Sequence, residues 1–140
     1  MPESLSKMGM PLPAERRQFV RIRLEVPVLY KFLCQHRQDP ELREVYEGTT
    51  RDISAGGILL HGKVALLDWV PELLQHKIAV GVNLFLPEDQ VPIKALARVA
   101  WIEPIEARTN CCALGLGFRE ITQQDKDRIF RYVIKSQIKV

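Results

Sequence analysis

Cysteine is scarce in this chain, and what there is does not pair. Cys34, Cys111 and Cys112 make an odd count with no C-x-x-C spacing. A disulfide framework or a zinc site is therefore not expected, and a cytoplasmic, reducing setting fits. His36, His61 and His76 are scattered, none at metal-ligand spacing from a second ligand. No apolar run approaches the roughly 18 residues of a membrane span, so membrane insertion is not expected. The opening stretch, MPESLSKMGMPLPAERR, has no apolar h-region, so no secretory signal is expected either. No nucleophile–base pair, catalytic carboxylate pair or metal cluster can be assembled, which makes an enzyme the least favoured class and leaves no cofactor to invoke.

What is present is an ordinary globular composition with an uneven charge. The 140 residues are 46% hydrophobic and 26% charged, enough for one domain with one core. The net charge of +3 is small, but residues 14–37 hold Arg16, Arg17, Arg21, Arg23, Lys31 and Arg37 against Glu15 and Glu25. Residues 38–47 then reverse the sign, with Asp39, Glu41, Glu44 and Glu47 against Arg43. Cationic charge gathered at one place implies a local anion site rather than a generally basic surface.

Along the chain, residues 1–13 hold three prolines and little apolar pattern and read as a flexible lead-in, with the folded domain over 14–140. Phe19–Tyr30 reads as a first strand, with apolar and polar residues alternating through its middle. Residues 31–47 read as a polar connection in which Pro40 can open a short helical turn at Glu41–Tyr46. Strands follow at Glu47–Ile53 and Ile58–His61, joined by the Ala55-Gly56-Gly57 turn, whose glycines permit positive φ. Residues 62–77 form a second long connection, either a short helix broken at Pro71 or an apolar loop anchored by Trp69. Ile78–Leu86, Ile93–Glu103 and Cys112–Arg119 complete the strands. This spacing indicates a barrel or a sandwich. From Thr122 the period becomes helical. Thr122 and Asp125 resemble a capping box, and Ile129, Phe130, Val133, Ile134 and Ile138 share a face over 122–138.

Two clusters carry chemistry. Arg17 and Arg21 form an R-x-x-x-R pair with Arg16 directly before it. Guanidinium groups make bidentate contacts to phosphate and can donate to the O6/N7 edge of guanine. The second cluster runs from Arg51 to Gly57. Asp52 and Ser54 share a strand face, Asp52 can accept from guanine N1–H and N2–H₂, Ser54 can add a hydroxyl, and Gly57 leaves room for a purine. The same residues also suit a plain turn in which Asp52 and Ser54 serve local backbone bonds. Trp101, near the end of a long strand, is either a core residue beside Val99 and Ile102 or a surface on which a base can stack.

In this order, separated by one strand and a loop, the two clusters resemble the PilZ family. Its motifs are R-x-x-x-R followed by [D/N]-x-S-x-x-G, matched here by Arg17, Arg21, Asp52, Ser54 and Gly57. The resemblance runs over about residues 15–135 and includes the Leu114-Gly115-Leu116-Gly117-Phe118 strand and the terminal helix. It implies a mainly β fold, a six-stranded antiparallel β-barrel with a C-terminal α-helix. It also implies a cyclic di-GMP receptor that acts on an unidentified protein target in bacterial signalling. The site would comprise Arg16, Arg17, Arg21, Asp52, Ser54, Gly57 and Trp101. Within the resemblance, Arg16 favours two stacked ligand molecules per chain over one. The connections at 31–47 and 62–77 are longer than in compact members.

Two other classes compete. One is a PilZ-like interaction module that binds no nucleotide, which sits poorly with a complete motif. The other is a barrel for single-stranded nucleic acid, which needs a broad basic groove with several aromatics. Two tryptophans, three tyrosines and a local charge do not supply that, so no nucleic-acid polymer is expected as a partner.

Overall fold

The computed structural model describes residues 23–138. Six strands close on themselves: β1 (Pro27–Leu33), β2 (Tyr46–Ser54), β3 (Gly57–Lys63), β4 (Ala79–Leu84), β5 (Ile93–Pro104) and β6 (Cys111–Glu120). The order around the barrel is β1-β2-β3-β6-β5-β4, with β4 returning to pair with β1, and every ladder is antiparallel. The expected barrel with a terminal helix is therefore what the chain forms. Alternation selects the core: Val28, Tyr30 and Phe32 of β1 point inward with Ile58 and Leu60 of β3 and Leu114 of β6, all essentially buried.

Several boundaries differ from those read off the sequence. β1 reaches Leu33 because the alternation that buries Val28 and Tyr30 continues through Phe32. The part of the expected first strand before Arg23 lies outside the described residues, as do the lead-in and the arginine cluster. Only Pro40–Arg43 is helical in the first connection, as a 3-10 turn. In the second connection Pro71 does not break a helix. After a 3-10 turn at Leu67–Trp69 it stands in the first turn of α1 (Val70–Leu74), where a missing N–H costs nothing. The turn after β2 needs no left-handed glycine, since no described glycine has positive φ.

Two bulges alter the alternation. The β2–β3 register shifts between Thr50 and Asp52, and the β5–β6 register shifts between Val99 and Trp101. An inserted residue reverses which face the following residues take. Thr50 is buried inside while Asp52 faces out, and Val99 is buried while Trp101 is 44% exposed.

Helix α2 (Gln123–Ile138) is capped by Thr122, whose Oγ1 accepts from Asp125 N–H at 3.1 Å. It packs on β2 through Ile129 and Val133. Phe130 and Ile138, expected on that face, stay exposed, because the buried stripe is only as wide as one barrel end. Arg128 bonds Asp89, and Lys135 pairs with Glu88, tying the helix to the β4–β5 connection.

The two long connections meet each other. Trp69 is fully buried, packs at a tilt against Phe32 with ring centroids 5.2 Å apart, and donates from Nε1 to Asp39 Oδ2 at 2.8 Å. Arg37 bridges Asp39 and Glu72 at 2.8 and 3.0 Å. Trp69 thus serves as the expected anchor. The Trp69 N–H, then Arg37, hold the Asp39 carboxyl below the usual carboxylate range. Trp69→Ala is expected to cost about 3–5 kcal/mol in urea denaturation, as for other fully buried aromatics. The depressed Asp39 value gives a sign. Its stabilising contribution is complete above the usual carboxylate range and is lost as pH falls below it. Thermal melts should therefore show an Asp39→Asn deficit at about pH 7 that shrinks at about pH 3.

Candidate functional site

The candidate site begins where the chain joins the barrel. Leu24 N–H donates to Arg51 O at 3.1 Å, and Thr50 N–H to Val26 O at 3.0 Å. The buried Thr50 hydroxyl accepts from Val26 N–H at 2.9 Å and donates to Leu24 O at 2.6 Å. A hydroxyl inside a barrel must find partners, and here both are backbone groups of the incoming segment. Arg23 therefore enters beside the bulge at Arg51, one residue from Asp52. Arg16, Arg17 and Arg21 lie outside the described residues.

The ladders bring residues distant in sequence into rows on the outer wall. One row reads Asp52, Leu59, Gly115, Trp101 across β2, β3, β6 and β5. The next reads Ser54, Gly57, Gly117, Arg98. Three strand spacings of ~4.8 Å separate the ends of the first row, about 14 Å in all. Ala113, Gly115 and Gly117 leave the outer face of β6 without large side chains. The Trp101 indole lies on Gly115, whose Cβ, if present, would overlap the ring. Trp101 is thus a surface residue and not a core one.

Ser54 and Gly57 do local work. Ser54 is buried, donates to Gly57 O at 3.3 Å and accepts from Gly56 N–H at 3.2 Å, closing the turn. A side chain at Gly57 would collide with the Leu116 carbonyl, so its absence lets β3 pair closely with β6. At Gly117, by contrast, a Cβ would meet nothing within 4 Å. The fold does not demand that glycine, and a larger residue there would stand up into the face. Gly117 belongs to neither motif. Its only signal was the Gly-x-Gly period of two. Arg98 and His61, which flank the face, carried no motif at all. Burial, then the nearby Arg51, pushes His61 below its ordinary value, while Glu25 opposes the shift. At neutral pH this edge therefore carries the Arg51 cation beside a neutral imidazole.

The arrangement offers a carboxylate and an indole at two ends of a row floored by Leu59 and Gly115, with Arg51 and Arg98 at its margins. That suits a planar, hydrogen-bonding, anionic ligand. Among the described residues no group of His, Cys, Asp or Glu gathers to hold a metal ion, and no helix is long and apolar enough to cross a membrane.

Known structures share this barrel. The inhibitor of motility MotI/DgrA from Bacillus subtilis superposes with a TM-score of 0.64 at 23% identity, over 92% of this chain and 56% of that one. MrkH, a c-di-GMP-dependent transcription regulatory factor, gives 0.62 at 20% identity, over 89% of this chain and 52% of that one. The chain spans about half the length of these two proteins. The PilZ domain of YcgR from Escherichia coli, solved with c-di-GMP, gives 0.54 at 16% identity, over 86% and 90%. No curated protein matches the chain by sequence. At these identities the likeness speaks for the fold, and the sequence itself supplies the family. Residues 15–135 match the PilZ domain, and with that match over nearly its whole length the chain belongs to the PilZ family.

Proposed function

We propose that this protein is a cyclic di-GMP receptor, with the ligand lying on the outer face of β2, β3, β6 and β5. The observation that carries the reading is the row from Asp52 to Trp101, with the indole seated on Gly115, the next row open at Gly117, and Leu24 paired with Arg51 beside Asp52. In this reading Asp52 accepts from guanine N1–H and N2–H₂, Trp101 stacks on a base, and Arg17 and Arg21 meet the phosphates. Ser54 and Gly57 act by shaping the turn that presents Asp52. Arg21 is three residues from Leu24, so a reach of at most ~11 Å connects it to the anchored backbone. Arg16 supplies a further cation, which suits two stacked ligands carrying four phosphate charges. Binding draws residues 14–21 against the barrel, and the altered surface engages a protein target in the cytoplasm.

Calorimetric titration with cyclic di-GMP should give a dissociation constant of roughly micromolar or tighter, about −8 kcal/mol. Arg17→Ala, Arg21→Ala and Asp52→Ala should each weaken binding about tenfold or more, since a charge-assisted hydrogen bond contributes on the order of 1.5–3 kcal/mol. Wild-type binding by both arginine variants would refute the assignment and favour an interaction module without nucleotide. At saturation the wild type should take up two ligands per chain and Arg16→Ala fewer. Gly57→Ala is a poor probe, because it strikes the Leu116 main chain and would disturb the barrel.

Gly115→Ala gives a separate test of stacking. The added methyl must push the Trp101 ring aside. It should therefore weaken binding about as much as Trp101→Ala while leaving the melting temperature near that of the wild type. If Gly115→Ala binds normally while its tryptophan emission shows the ring displaced, Trp101 has no part in recognition.

A further inference from the structure

On the opposite wall of the barrel lies a groove that the nucleotide reading does not use. It is centred on β4, which stands three strands from β3 in either direction around the barrel. Its volume is about 900 Å³. The ladders order its floor: Lys31, Gly81, Leu96 and Glu120 form one row, and Leu29, Asn83 and Lys94 the next. Leu33, Val45, Phe118 and Ile121 give it apolar sides, with Leu33 and Val45 well exposed.

Gly81 is the informative residue. Glycine in a strand interior weakens the strand unless something requires it. At Gly48, Gly57 and Gly62 a Cβ would collide with the barrel's own backbone or buried Tyr30, so the fold requires them, and at Gly115 it would meet the Trp101 ring. At Gly81 the nearest atom would be Leu33 Cδ1 at 3.5 Å, an ordinary contact. The barrel would accept a side chain there, and the gap instead keeps the groove open between Lys31 and Leu96.

The rim decides the partner's charge. Lys31, Lys94, Arg119 and Lys126 line the groove against the single carboxylate of Glu120. A neighbouring cleft of about 1070 Å³ shares Lys31, Leu33, Leu96 and Arg119 with it and extends the basic border to Arg43 and Lys77. The chain's own amino-terminal segment carries Arg16, Arg17 and Arg21 and has the wrong sign to fill it. A bilayer is met by protruding apolar side chains, and this surface is concave. We propose that the β4 groove is a docking site for an acidic, amphipathic segment of a partner protein. The segment's apolar side chains fill the gap over Gly81, and its carboxylates lie on the lysine rim. The proposal does not depend on cyclic di-GMP binding at the other wall.

Selection from a phage-displayed library of random peptides against the full chain tests this. Enriched peptides should combine Asp or Glu with Leu, Phe or Trp. A synthesised representative should bind the Gly81→Leu variant and the Lys31→Glu/Lys94→Glu double variant at least roughly tenfold more weakly than wild type. The double variant alters only surface charge and decides the matter if Gly81→Leu does not fold. Cyclic di-GMP titration of the same variants should be unchanged, which separates failure of the groove from failure of the nucleotide site. No enrichment, enrichment of basic peptides, or equal binding by the double variant would overturn the proposal. So would sedimentation of the wild type with phosphatidylglycerol vesicles that the selected peptide fails to displace.

Discussion

One buried hydroxyl fixes how the chain enters the front of the barrel. Thr50 sits inside the barrel, and its Oγ1 bonds the backbone of Leu24 and Val26. Leaving such a group unpaired costs about 1–3 kcal/mol, so the incoming segment is held against β2. The bulge directly after Thr50 then turns Asp52 outward. One position thus sets both the entry of the arginine segment and the direction of the carboxylate. The far end of the barrel has its own equivalent in Trp69, whose N–H must find Asp39 once the indole is buried.

Much of this was legible in the sequence, and the parts that were not have a common cause. Alternation located the strands and the core because burial has a period of two wherever the ladder is regular. It failed where a bulge inserts a residue. By spacing alone Trp101 falls on the same face as Val99, which makes a core tryptophan reasonable. The shift between them puts the indole on the surface. The motif residues Asp52, Ser54 and Gly57 were all identified, yet their division of labour was not. Of the two readings open for Ser54, the local turn is the one its hydroxyl serves, while Gly57 yields its space to Leu116. The choice between a helix broken at Pro71 and an apolar loop stays open in the sequence, because where Pro71 falls relative to a helix start depends on Trp69 being buried, which is a tertiary fact. Phe130 and Ile138 show the converse error, since a helical stripe announces amphipathicity but not the width of the surface that will cover it.

The two walls of the barrel are chemically distinct although they share strands. Small residues and a carboxylate–indole row mark one, and an apolar trough bordered by lysines marks the other. β5 contributes to both, with Trp101 and Arg98 on the first and Lys94 and Leu96 on the second. One strand thus carries side chains of both surfaces.

Closure of the sheet has a consequence for how the domain meets other chains. β4 pairs with β1, so no strand among the described residues offers an unsatisfied row of N–H and C=O groups. Strand addition, which reads main chain and discriminates weakly among sequences, is unavailable to this fold. Association through the described barrel therefore falls to side chains standing on a curved wall or to the loops at its ends. Such surfaces can drift independently of the hydrogen-bonded frame, so a single barrel can acquire new partners without renegotiating its own folding.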